Sequence, residues 1–183
     1  MPTDRWSSWA HVILGTRGSW LPGDPRGFRD HGHRIHSSGD YRGPPPQGEH
    51  AGLYRAALAR CPEPLNLPEH LRPLIAKAFA AKCEAMGYPV RVLAVAARHA
   101  HALVRVGEID AKPIVGRAKQ AASHAVRGEL PGSIWSQGCH VVRCRDESHY
   151  RAIVDYISRH AREDHTGAAL WTHPHHQSIP DSR

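Results

Sequence analysis

The chain has 183 residues, with 24 Lys and Arg against 17 Asp and Glu, 16 histidines and four cysteines. That length suits one compact domain with a real core, and the net charge of +7 favours a polyanionic partner, nucleic acid first. No apolar run approaches the roughly 20 residues of a membrane span, the opening MPTDRWSSWAHVIL lacks the pattern of an export signal, and no cysteines stand at CxxC spacing, so a cytoplasmic protein with reduced thiols is expected, without a membrane partner.

In chain order, AHVILGT (10–16) has the length and composition of a short strand. Residues 18–50 are dense in Gly, Pro, Ser and His without helix or strand period, which predicts a long irregular insertion. AGLYRAALAR (51–60) predicts a short helix, and PEHLRPLIAKAFAAKCEAMG (68–87) a longer one, with Leu71, Leu74, Ile75, Ala78 and Phe79 at helical spacing and Gly87 as C-terminal cap. VRVLAVAA (90–97) is short, apolar and valine-rich, as expected of a strand buried on both faces. HALVRV (101–106) continues as a second strand after a bend near Arg98. DAKPIVGRAKQAASHAVRG (110–128) predicts a basic helix capped by Asp110 and ended by Gly128. GCHVVRC (138–144) reads as a last strand, and DESHYRAIVDYISRHARE (146–163) as a helix with an acidic start. The expected domain spans 1–164, with a loose tail over 165–183. The first six elements spell βαββαβ, an α+β ferredoxin-like plan of antiparallel sheet with helices on one face, followed by one further helix. That plan alone fixes no function.

Two features carry chemistry. Chance yields about one or two His-x-His pairs at this histidine content, so the three present mean little by count. His31/His33 and His173/His175 sit in the insertion and the tail, where solvated imidazoles need no ligand. His99 and His101 are different, because they interrupt an apolar strand. Alternation turns both to one face while Ala100, Ala102 and Val104 turn to the other. Two neutral imidazoles about 7 Å apart at their bases can converge on a cation, or be two core histidines satisfied by carbonyls. On the last helix Tyr150, Ile153, Val154 and Ile157 form the apolar stripe. Tyr156 and His160 share one flank of it, a single turn apart, and His149 has nearly the same azimuth.

His-hydrophobic-His on a strand, followed some fifty residues later by a helical tyrosine, resembles the HUH endonuclease superfamily. More closely, IWSQGCHVVRCRDESHYRAIVDYISRH (134–160) resembles the C-terminal signature of single-tyrosine transposases of the REP-associated group, with Trp135, Gly138, Arg145, Asp146 and Glu147 matching its layout. GSWLPGDPRG (18–27) is similar to an opening motif of bacterial relatives. The resemblance implies a ferredoxin-like fold and a nuclease that cleaves and rejoins single-stranded, hairpin-bearing DNA. It makes Tyr156 the nucleophile that forms a covalent 5′-phosphotyrosine, and His99, His101 and His160 the ligands of a divalent metal. Relatives often carry Gln or Asn where His160 stands. Three imidazoles favour manganese, or zinc, over magnesium. His149 is a candidate base for the phenol. Candidate DNA contacts are Lys112, Arg117, Lys119 and Arg127 on the basic helix, and Arg98, Arg105, Arg143 and Arg159 near the site, each equally readable as a surface charge. A homodimer stays open. So do two rival functions: an idle nucleic-acid binder of the same fold, and a three-histidine hydrolase that uses water.

Overall fold

The apolar opening strand is realised as β1, Trp9–Gly15, and it becomes the spine of the sheet because both of its edges are paired. The computed structural model describes residues 5–26, 29–30, 33–34, 46–61 and 63–174. A 3-10 turn at Arg5–Ser8 leads into β1. In the insertion, the described residues form turns and a two-residue ladder between β2 (Arg29–Asp30) and β3 (His33–Arg34). His31 of the first histidine pair and His175 of the third lie outside the described residues, as does the C-terminal end of the tail.

Helix α1 spans Ala51–Arg60 and has no buried residue. A 3-10 turn at Glu69–Leu71 runs into α2, Arg72–Ala85. The face of α2 that meets the core carries Ile75, Ala76, Phe79, Ala80 and Cys83. Leu74, counted into the stripe from sequence spacing, is instead 44% exposed. Gly87 closes the turn after the helix at φ +82, a left-handed conformation that glycine adopts freely.

Strands β4 (Val90–Val95) and β5 (His99–Arg105) form a hairpin over residues 96–98, where the Ala96 amide donates to the His99 carbonyl at 2.9 Å. The second strand therefore starts at His99, two residues earlier than its apolar composition suggests, and both histidines belong to the ladder. Helix α3, Ala111–Ala125, is capped by the Asp110 carboxylate, which accepts from the Lys112 amide. It ends before Gly128: Val126 stands at the C-cap and Gly128 has no left-handed conformation. Strand β6, His140–Arg143, and helix α4, Glu147–Glu163, complete the expected order.

All pairings of the large sheet are antiparallel, in the order β6-β1-β5-β4-β7, where β7 is Ala169–Thr172. Its first four strands have the ferredoxin-like arrangement. The fifth strand corrects the expectation of a loose tail from residue 165. Trp171 turns inward onto the main core while Leu170 stays exposed, so the segment is an alternating edge strand four residues long. Buried Arg72 fixes the approach to it: its guanidinium donates to the carbonyls of Leu67, Thr166 and Gly167.

The sheet is covered on both sides. Val12, Leu14, Leu93, Val95, Ala100, Ala102 and Val104 pack with α2 and α3 in one core. Trp9, Val92, Ala94 and Leu103 face the other way and pack with Ile153, Ile157 and Ala161 of α4. A bulge between Val90 and Val92 shifts the register of β4, which explains why these two residues end on opposite sides. The apolar composition of β4, interrupted only by Arg91, follows from that double coverage.

Candidate functional site

Strand parity and helix phase together build the site. In β5, Ala100, Ala102 and Val104 are at most 1% exposed beneath α2 and α3, which sends His99 and His101 to the face that α4 crosses. Helix α4 begins where the Asp146 carboxylate accepts from the His149 amide at 2.8 Å. It is anchored by Ile153, Ile157 and Ala161 on the sheet. That anchoring rotates the flank with Tyr156 and His160 toward the strand histidines. Tyr150 belongs to the buried stripe, against Trp6 and Trp9.

His99 and His160 lie with rings stacked, centroids 4.8 Å apart and planes 12° from parallel, and their Nε2 atoms approach to 2.5 Å. His101 stands edge-on to both, its centroid 5.1 Å from His99 and 5.0 Å from His160. One ring nitrogen from each of the three lies within 4.8 Å of the others. Tyr156 completes the cluster: its ring is perpendicular to that of His101 at 5.3 Å, 6.0 Å from His160, and 42% exposed. The tyrosine ring is thus held beside the imidazoles yet partly open to solvent.

The electrostatics suit a cation. Burial first, then the neighbouring His11, His99 and His160, hold His101 down at about 3. His99 is lowered by burial and by His160, against a smaller opposing pull from Asp164. Neutral imidazoles present lone pairs, and crowding them in one place without a proton or cation between them is unfavourable. These residues fit a divalent metal through three nitrogens.

A fourth imidazole was not legible in the sequence. His11 of β1 is 8% exposed, and its Nε2 lies 3.1 Å from Nδ1 of His101. Its ring is also 5.9 Å from that of Tyr156. Burial, with His140 and His149 nearby, lowers it to about 4. The signal was a single polar residue in an apolar strand. It gains meaning only from the pairing of β1 with β5, which sets Ile13 opposite His101 and His11 opposite Leu103, one diagonal step away. His149 starts α4, two turns before Tyr156, and its Nδ1 accepts from the Arg145 amide.

Of the basic candidates, two adjoin imidazoles of the cluster in sequence and are exposed. Arg98 is exposed on the turn before His99, its Nε donating to Asn66, and Arg159 is exposed beside His160 on α4. Arg105 is at the far end of β5, opposite Trp9. Lys112, Arg117, Lys119 and Arg127 belong to α3 and the turn after it, across the sheet from the histidines. Two of the eight are tied to backbone carbonyls. The Lys119 ammonium donates to the carbonyls of Ser136 and Gly138 at 2.6 and 2.7 Å, and Arg143 donates to those of Ser7, Gly107 and Ile109. A groove of about 640 Å³ lies on the α3 side, between that helix and residues 132–138, with Lys119, Gln120, Arg127 and Trp135 among its walls.

No family model matches the sequence, and no curated protein matches it. Among solved structures, the chain is similar to a REP-associated tyrosine transposase bound to a REP hairpin, at 12% sequence identity and a TM-score of 0.47, over 88% of this chain and 71% of that one.

Proposed function

We propose that the protein is a metal-dependent single-stranded DNA endonuclease and strand transferase of the HUH single-tyrosine type, with Tyr156 as nucleophile. One observation carries this reading: a half-open tyrosine ring 5.3 Å from His101, beside three imidazoles whose nitrogens lie within 4.8 Å of one another. The residues that meet there come from a strand and from a helix more than fifty positions later, so local sequence packing does not account for the meeting. The resemblance of residues 134–160 to the transposase signature supports the same roles.

In this mechanism His99, His101 and His160 would hold a divalent cation. A divalent ion bound there would neutralise the non-bridging oxygens of a phosphodiester and make its phosphorus open to attack. Manganese or zinc suits the all-nitrogen set better than magnesium. Tyr156 attacks in line: the bond from its phenolic oxygen to phosphorus forms, and the bond to the 3′-oxygen breaks. The phenolic proton passes to water, and the departing oxygen takes one up to become a 3′-hydroxyl. The strand stays on the protein as a 5′-phosphotyrosine. A second 3′-hydroxyl reverses the exchange, and the bond energy is conserved without ATP. Arg98 and Arg159, next in sequence to His99 and His160, would hold phosphates of the bound strand. Lys112, Arg117 and Arg127 offer a second basic surface on the opposite face for the rest of a hairpin-bearing strand.

The test is incubation with single-stranded hairpin oligonucleotides and manganese, read on a denaturing gel. The expected result is a protein band shifted by covalent DNA that disappears in Tyr156→Phe. Cleavage without an adduct, unchanged in Tyr156→Phe, would instead identify a water-using hydrolase. Binding without cleavage in either protein would identify an idle descendant of the fold.

A further inference from the structure

We infer that His11 is a positioning residue that fixes the tautomer of His101 through its Nδ1, so that Nε2, the nitrogen not engaged by His11, carries the lone pair. The inference rests on the metal-site reading above and concerns a residue outside the three ligands. His101 is 6% exposed and its Nδ1 lies 3.1 Å from Nε2 of His11, an ordinary hydrogen-bond separation between two rings that are both nearly closed to solvent.

One proton must sit on that contact. If His11 donates it, His101 accepts at Nδ1, carries its own proton on Nε2, and has no lone pair left for a cation. If His101 donates from Nδ1, its Nε2 is bare and available, and His11 accepts through Nε2 while holding its proton on Nδ1. Only the second arrangement is compatible with a three-nitrogen site. Metal-bound histidines usually donate their other N–H to a carboxylate or carbonyl acceptor. Here a neutral imidazole on the adjacent strand fills that place, and the antiparallel pairing of β1 with β5 sets its height relative to His101. A neutral acceptor orients the ring without adding negative charge next to the position where a phosphate would sit.

The chemistry specifies which substitutions should matter. Glutamine can present its side-chain oxygen where His11 Nε2 stands. Asparagine is one bond shorter, and leucine has no acceptor. The experiment uses the full chain and two readouts that need no turnover. The first is long-range proton–nitrogen NMR of the metal-free protein at neutral pH, which identifies the protonated ring nitrogen. His101 is expected as the Nδ1–H tautomer. The second is manganese titration followed by electron paramagnetic resonance. Relative to wild type, His11→Leu and His11→Asn should bind manganese about tenfold or more weakly, and His11→Gln should remain within about threefold. If His11→Leu fails to fold in chelator, the comparison of Asn with Gln decides.

An Nε2–H tautomer at His101 in the wild type would overturn the inference. So would equal manganese affinity in wild type, Leu, Asn and Gln variants, while leaving the metal site itself intact. Failure of the wild type to bind manganese at all would sink the metal-site reading and this inference with it.

Discussion

His11 and His101 spend their polar atoms on each other in a sheet face from which water is nearly excluded. Their depressed values, about 4 and about 3, mean that the folded chain resists protonation where an unfolded chain accepts it, at 6.5. Below 6.5 the unfolded state therefore binds more protons than the folded state, and stability falls as pH is lowered toward 4. Each unit of separation is worth up to about 1.4 kcal/mol per group. Thermal unfolding of the metal-free protein between pH 7 and 4 should show this loss, with a shallower slope in His11→Gln, which removes one of the two groups. An identical slope in both proteins would mean that His11 titrates normally in the fold. At the same scale, Tyr156 adds little to stability, because 42% of it is exposed. The Phe substitution should leave the melting temperature nearly unchanged, as surface replacements do.

Helix α4 couples the core to the site. The residues that bury it, Ile153, Ile157 and Ala161, alternate in phase with those that face the histidines, so any shift of the helix moves Tyr156. Ile157 is fully buried and follows the tyrosine directly. Ile157→Ala should destabilise by about 2–5 kcal/mol and lower the rate of adduct formation even where the protein remains folded. Ile157→Val, which costs about 0.5–1.5 kcal/mol, should retain most of the rate. Chemical denaturation measured alongside the gel assay separates the two effects, and an unaltered rate in folded Ile157→Ala would show that helix seating does not position the phenol. This helix was legible in the sequence because seventeen residues supply several turns of period and a strong acidic cap. Strand β7 was not: four alternating residues among turn formers offer no period, and the buried Arg72 that ties residues 166 and 167 comes from a helix ninety positions earlier. Likewise the pairing of His99 with His101 could be read from parity, whereas His11 required knowledge of which strand lies beside β5.

Across the whole molecule, the sheet separates two surfaces. One carries the imidazoles and Tyr156, with Arg159 exposed on the helix that covers it. The other carries α3 with Lys112, Arg117 and Arg127 and the groove beside it. Exposed basic residues therefore stand on the α3 side as well as on α4. Lys119 and Arg143, which sequence alone offered as DNA contacts, belong to the scaffold: each pins a loop through backbone carbonyls. Among the described residues no helix is long and apolar enough to cross a membrane. If phosphates contact both faces, the slope of log affinity against log salt for a hairpin oligonucleotide should fall by about 0.7 for each lost single-strand contact. Arg98→Ala and Arg159→Ala should each show such a loss with a short single strand. Arg127→Ala should show it only when the hairpin is present. A slope that none of the three substitutions changes would remove both surfaces from the binding path.

The decisive measurement is the mass of the peptide that carries the DNA. After reaction with a hairpin oligonucleotide and manganese, nuclease trimming and proteolysis should leave a nucleotide phosphate on the peptide containing Tyr156, at residue 156 by fragmentation, and none in the presence of chelator. A phosphate mapped to Tyr150 or any other residue, or cleaved DNA with every tyrosine unmodified, would contradict the assignment of Tyr156 as the nucleophile.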